Sequence, residues 1–150
     1  MLTPRHPELA HVAAHLAKRR DAILQAWREA VTRDPTLTTG AALPRAQLHD
    51  HIPALLREFE RRLAGDEASA YRADEQKVAE AHGLHRWQQG FDLAEVTREL
   101  GRLNECVVVE LEDYAAANRE LSSEVMAEAR RIWAKQYLSL IHISEPTRRS

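Results

Sequence analysis

The strongest constraint on the fold of this chain is an apolar stripe between positions 93 and 114. Apolar side chains recur there every three or four residues, at Leu93, Val96, Leu100, Leu103, Val107, Leu111 and Tyr114. This spacing follows the 3.6-residue period of an α-helix and not the two-residue period of a strand. The stripe therefore predicts an amphipathic helix with one buried face. We expect the charged residues off the stripe to be solvated: Arg98, Arg102, Glu105 and Glu112.

Two helices are predicted in the first half of the chain. The first runs from about Glu8 to Thr32, with an apolar face of Leu9, Val12, Leu16, Ile23, Trp27 and Val31. The second covers Pro44 to Leu63 and ends at Gly65, which suits the left-handed conformation of a C-cap. Its apolar face is Leu48, Ile52, Leu55, Leu56, Phe59 and Leu63. Pro53 stands inside this pattern, so it either opens the main helix at its first turn or kinks it. We favour a short turn of helix first and then the main helix from near Asp50.

Two further helices flank the stripe. One runs from about Asp74 to Gln89 and stops at Gly90. Asp92 and Glu95 then stand at the spacing of a capping box, which predicts that the helix of the stripe begins there. The last helix begins after Ser122 or Ser123 and carries Val125, Met126, Ala129, Ile132, Trp133 and Tyr137. About five helices joined by short loops predict an all-α single domain, packed as a bundle or in a globin-like arrangement.

Composition narrows the class of protein. The chain has 150 residues, about one domain, and its five glycines and six prolines are too few for a sandwich or barrel. A formal net charge of −2 gives no electrostatic reason to expect nucleic acid or an anionic membrane as a partner. The start does not resemble a signal peptide, and no apolar run approaches the ~20 residues of a membrane helix. We therefore expect a soluble, cytoplasmic protein.

The last residues differ in composition from the rest. From Ser139 the sequence reads SLIHISEPTRRS, which resembles translated sequencing-adapter readthrough. We expect residues 1–138 to form the domain and residues 139–150 to be a non-native or disordered tail. Deletion of everything after Leu138 should then leave the fold intact. We also expect the chain to be the front of a longer protein.

Eight histidines raise the possibility of a metal site. His11 and His15 are four residues apart on one helical face, but Val12 stands where a zincin motif needs Glu, and no motif positions a third ligand. Cys106 is the only cysteine, which excludes an intrachain disulfide and a thiolate zinc cage. The sequence therefore predicts solvated histidines, no metal and no cofactor. A metal-dependent hydrolase that uses the histidines remains as the alternative from the enzyme class.

A phosphoacceptor histidine is not predicted either. His49 and Asp50 match the start of the histidine-kinase box, but Pro53 comes one residue too early and the basic residue is missing. No Gly-rich ATP lid follows. Asp and Pro are favoured in the first turn of a helix, which explains both residues without catalysis. We expect no catalytic residue and no enzymatic activity in this chain.

The hairpin around position 90 is the candidate functional region. His82, His85, Arg86 and Gln89 share one side of the predicted helix, and Glu99 could pair with Arg86 across a seam to the next helix. A bracing role and direct ligand contact both remain open for these residues. Gly90 and Asp92 are the candidate hinge. The predicted signalling and interhelical residues are thus His82, His85, Arg86, Gln89, Gly90, Asp92 and Glu99.

The same hairpin carries a resemblance to a known family. The matching positions of the motif H-x-x-x-R-x-x-Q-G-[FY]-[DS]-L-x-E-[VL]-x-R-E are His82, Arg86, Gln89, Gly90, Phe91, Asp92, Leu93, Glu95, Val96, Arg98 and Glu99. This run resembles the core motif of the RsbRD N-terminal domain of the RsbT co-antagonists of the bacterial stressosome. The similarity extends from the first helix to about Tyr137. The stretch from Leu111 to Trp133 is similar to the version that precedes a histidine kinase core.

The resemblance implies a sensory input domain with globin-like helices and no haem. It implies a homodimer and, as partner, a downstream kinase core in the parent chain, a bacterial sensor histidine kinase. A stressosome-type RsbR co-antagonist interaction domain is the alternative. Haem remains a further outcome because several histidines could serve as a proximal ligand, although none lies in an evident apolar pocket pattern.

Overall fold

The structure is a computed structural model that describes residues 7–36, 43–65 and 93–144. These ranges hold four helices: α1 (Glu8–Arg33), α2 (Leu43–Ala64), α3 (Leu93–Ala117) and α4 (Ser123–Ser144). No strand occurs within these ranges, and the predicted all-α class is confirmed. The predicted helix from Asp74 to Gln89 and its neighbour Asp92 lie outside the described residues.

The ends of two helices follow the predicted capping residues. Gly65 has a φ of 78° after the end of α2, the left-handed conformation that glycine adopts without steric cost. Its N–H donates to the carbonyl oxygen of Arg62 at 3.2 Å. At the start of α4 the hydroxyl oxygen of Ser122 accepts the N–H of Val125 at 3.3 Å. Ser122 is therefore the N-cap of the two candidate serines.

The favoured prediction of a short turn followed by a main helix from near Asp50 is wrong. The helix α2 runs from Leu43 to Ala64 with Pro53 inside it. Proline removes one backbone hydrogen bond of the helix. Buried apolar side chains on both sides of it, Ile52, Leu55 and Leu56, anchor the two parts of α2 in the same core. Tertiary packing therefore outweighs the local preference for a break.

Helix α1 lies at the centre of the packing and contacts α2, α3 and α4. Every residue of its predicted apolar face is buried. The indole Nε1–H of Trp27, which is 0% exposed, donates to the backbone carbonyl oxygen of Glu99 at 2.8 Å. Between α2 and α4 the rings of Phe59 and Trp133 lie 5.2 Å apart. The core is thus continuous across all four helices.

Helix α4 does not end at the predicted domain boundary after Leu138. It continues to Ser144, and the side chain of Leu140 is 4% exposed. This part of the predicted tail is therefore helical and includes a core residue, which differs from the expected disorder. Residues 145–150 lie outside the described residues. The non-native origin of the segment stays a prediction.

A transmembrane helix requires about 20 consecutive apolar residues. Among the helices that the structure describes, none has the length and apolar character to span a bilayer.

Candidate functional site

Of the seven predicted site residues, the structure places one. His82, His85, Arg86, Gln89, Gly90 and Asp92 lie outside the described residues, and so does the proposed contact between Arg86 and Glu99. Glu99 is 0% exposed on α3, and its backbone carbonyl accepts the hydrogen bond from Trp27 of α1. The residue therefore lies at a helix–helix contact, as an interhelical role requires, and the contact seen is with α1.

The contact between α1 and α3 carries an ion-pair cluster at one end. The Nε–H of Arg19 on α1 donates to the carboxylate of Glu110, whose side chain is 8% exposed on α3. This hydrogen bond and the charge of Glu110 raise the pKa of Arg19 above its ordinary value. The ring of His15 lies beside Tyr114, with centroids 4.5 Å apart, and its Nε2 is 3.9 Å from Glu110. His15 is thus a packed interface residue and not a fully solvated histidine.

A second cluster joins the opposite end of the same two helices. Asp34, the C-cap residue of α1, accepts hydrogen bonds from Nε and Nη2 of Arg102 at 3.1 and 3.0 Å. Nη1 of Arg102 also donates to Glu105 at 3.1 Å. Arg102 was expected to be solvated, but its side chain is only 38% exposed because it bridges α3 to the end of α1.

The carboxyl group of Asp34 is held strongly in its ionised form. The hydroxyl and the backbone N–H of Thr36 donate to its Oδ1 at 2.6 and 2.9 Å. These hydrogen bonds, followed by those from Arg102, lower the pKa of Asp34 to about 2, against an opposing effect of burial. Hydrogen bonds to a carboxylate favour its charged form. Asp34 thus stays ionised over the physiological pH range and keeps its ion pair with Arg102.

Between the two clusters lies a groove of about 290 Å³ on the surface of α1 and α3. Its floor is formed by Ala22, Ile23, Ala26, Cys106 and Val109, and its charged residues are Arg19, Glu105, Glu110 and Asp113. Val109 is 53% exposed. Burial, followed by the charge of Glu105, raises the pKa of the Cys106 thiol, which therefore favours the neutral form. An apolar groove with a few charged groups at its edges is suited to binding a small molecule.

Metal coordination finds no support in the described residues. No group of three or more histidine, cysteine, aspartate or glutamate side chains is arranged there to hold an ion. His11 is exposed, while His15 packs on Tyr114. The two histidines at zinc-like spacing are therefore in different environments.

The sequence did not indicate this groove. Arg19 and Glu110 lie 91 positions apart, and Asp34 and Arg102 lie 68 positions apart, so no local motif joins them. The only signal available was the presence of charged residues beside a strongly apolar stripe, as at Glu110 next to Leu111. Such residues are normally solvated, and only packing against α1 buries this one.

The fold and the groove define a helical domain in which α1 and α3 together form a surface site. The chain belongs to the RsbT co-antagonist protein rsbRD N-terminal domain family, whose family model matches residues 21–139. This range includes α2, α3, the second half of α1 and most of α4. Searches of curated proteins and of solved structures returned no match. Membership of this family suggests a regulatory input domain.

Proposed function

We propose that this chain is the signal-input domain of a bacterial regulatory protein and has no catalytic activity of its own. The family match over residues 21–139 carries the proposal. The groove between α1 and α3 supports it, because an input domain needs a surface at which a signal can act. In this proposal the domain is cytoplasmic and homodimeric, and its output partner is a downstream kinase core in the parent chain.

The contacts of α4 suggest how a signal leaves the domain. Nε1 of Trp133 on α4 donates to Asn104 on α3 at 2.9 Å. Nε2 of Gln136 donates to the carbonyl oxygen of Leu55 on α2 at 2.8 Å. A change in the packing of α1 on α3 therefore acts on α4 directly, because α4 contacts both of these helices. A ligand can drive such a change only by binding two packings with unequal affinity.

Autophosphorylation of the parent protein tests this function. We expect the 150-residue chain alone to acquire no phosphate from ATP. Deletion of residues 1–138 from the parent should change its autophosphorylation rate, since the input no longer biases the kinase core. An unchanged rate contradicts the input function, and phosphate on the isolated chain contradicts the absence of catalysis.

The family name also supports a second function, that of an RsbR-type co-antagonist in a stressosome-like scaffold. Here the domain would bind other proteins, and its output domain would accept phosphate instead of transferring it. The reading frame downstream of this chain in its source genome separates the two functions. A phosphoacceptor box followed by a Gly-rich ATP lid supports the kinase, whereas a compact α/β domain supports the co-antagonist.

A further inference from the structure

Of the four charged side chains that line the groove between α1 and α3, three are acidic: Glu105, Glu110 and Asp113, with Arg19 as the basic one. Glu110 pairs with Arg19. Glu105 lies toward the end of the groove at which Arg102 joins α3 to Asp34, and Asp113 lies toward the other end. Both of these carboxylates are at the protein surface, since Asp113 is exposed and Glu105 has a side-chain exposure of 63%.

Apolar surface separates the two ends. Glu105 and Asp113 are eight positions apart on one helix, about 12 Å at a rise of 1.5 Å per residue. Between them the groove is lined by apolar side chains and the neutral Cys106 thiol, and by the ion pair of Arg19 with Glu110. The apolar part of the lining consists of Ala22, Ile23, Ala26 and Val109. A ligand with charge along its whole length would desolvate that charge against this floor, at considerable cost.

Asp113 is the end group most available to a ligand. Within the described residues Asp113 makes no hydrogen bond or ion pair. Its negative charge is one of the contributions that raise the pKa of Arg19. Glu105 is held by Arg102 at 3.1 Å, which fixes its position at the other end of the groove. The carboxylate of Asp113 is therefore free to accept an ammonium group. The carboxylate of Glu105 is held in a position from which it can accept a second ammonium group.

From this charge pattern we propose that the groove binds a linear aliphatic diammonium compound, a molecule of the diamine or polyamine class. Its methylene chain lies on the floor beside Val109, and its two ammonium groups meet Asp113 and Glu105. The proposal rests on the input function above, because it names the chemical class of the signal that the groove receives.

Buried methylene groups and ion pairs together determine which ligands the groove should bind most tightly. Each methylene group buried on the floor tightens binding by up to about fourfold. An exposed ion pair adds up to about fivefold, and added salt weakens it. The ligand that binds most tightly is therefore long enough to reach both carboxylates. A short chain with two charges and a long chain with one charge should both bind more weakly.

Isothermal titration calorimetry on the whole chain at low ionic strength provides the test. The probes are octamethylenediamine, tetramethylenediamine, octylamine and suberate. We expect octamethylenediamine to bind at least tenfold more tightly than tetramethylenediamine and several-fold more tightly than octylamine, and suberate not to bind. Equal affinity for the diamine and octylamine, binding of suberate, or no binding of either diamine overturns the proposal.

Three variants and a matched control locate the ligand. Asp113→Asn and Glu105→Gln should each reduce the affinity for octamethylenediamine to that for octylamine. Val109→Lys places a cation in the groove and should abolish binding. The control Glu112→Gln removes the same charge from an exposed position outside the groove and should leave the affinity unchanged. An equal loss in this control shows unspecific charge attraction and overturns the site.

The ligand and the input function can fail separately. If no probe binds but deletion of the domain still changes autophosphorylation of the parent, the diammonium ligand is wrong and the input function stands. If the probes bind as expected but deletion has no effect, the groove is a binding site and the input function is wrong. The exposed positions of Asp113 and Glu105 keep these measurements independent of folding.

Discussion

Buried polar side chains mark the helix–helix contacts of this domain. Within the described residues four are nearly inaccessible to solvent: Asp34, Glu99, Glu110 and Gln136. Asp34 and Glu110 each accept a hydrogen bond from an arginine of another helix, and Gln136 donates to a backbone carbonyl. A buried polar group without a partner costs about 1–3 kcal/mol. Each of these contacts therefore favours one relative position of two helices.

The low pKa of Asp34 predicts acid sensitivity. Because the pKa is about 2 in the folded protein and near 3.8 otherwise, the ionised group stabilises the fold above about pH 4. This contribution is lost as the pH falls toward about 2. Urea unfolding at several acidic pH values should show a smaller loss for Asp34→Asn than for the unchanged chain. Asp50→Asn, at an exposed position of α2, serves as control and should keep the full loss.

Trp27 is expected to dominate the stability of the contact between α1 and α3. Replacement by Ala removes a fully buried ring and its hydrogen bond to the Glu99 carbonyl. Such changes typically cost about 3–5 kcal/mol of the free energy of unfolding. Leu138→Ala, at a side chain that is 64% exposed, should cost less than about 0.5 kcal/mol. Denaturant unfolding of both variants measures the difference, and similar costs contradict this role of Trp27.

At the scale of the helices, α4 is fixed to α2 by Gln136. Its Nε2 donates to the Leu55 carbonyl at 2.8 Å, and the side chain is 2% exposed. Gln136→Ala should therefore lower the free energy of unfolding by about 1–3 kcal/mol. Lys135→Ala, one position earlier and exposed, is the matched control. Because Ala has the highest helix propensity, neither substitution weakens α4 locally, and a loss of the same size in both variants means that the contact with α2 does not determine the effect.

The end of α4 gives a second test at this scale. The sequence suggested that deletion after Leu138 is harmless, whereas the structure buries Leu140. Complete burial of a leucine side chain contributes roughly 1.5–3 kcal/mol. A chain that stops after Leu138 should therefore unfold at lower denaturant concentration than one that stops after Ser144. Equal midpoints show that residues 139–144 do not contribute to the core.

At the scale of the whole molecule, α1 joins the other described helices in one core. It packs against α2, α3 and α4, and the ion pair between Arg20 and Glu60 adds a polar contact to α2. A small domain with one core usually unfolds in a single transition. We expect far-UV circular dichroism and tryptophan fluorescence to give the same thermal midpoint. Two separated midpoints contradict a single core.

Much of the fold was predictable because helical periodicity is a local property. The apolar spacing on α1 identified side chains that are buried without exception, and the serines before α4 and Gly65 after α2 marked two helix ends. The break expected near Asp50, at the start of the main second helix, was wrong because the local backbone preference of Pro53 is weaker than the burial of Ile52 and Leu55 on either side of it. The candidate groove was not predictable, since its two ends join residues far apart in sequence.

The sequence by itself determined the helical class, the apolar faces and the family, because these depend on spacing and on motif residues along the chain. Tertiary structure alone decided which charged residues are buried and which residues of neighbouring helices they contact. Glu110 reads as a solvated residue beside the apolar stripe, and only the approach of Arg19 from α1 turns it into part of a site. The physical reason is that burial and charge pairing depend on helix packing, which a local pattern does not specify.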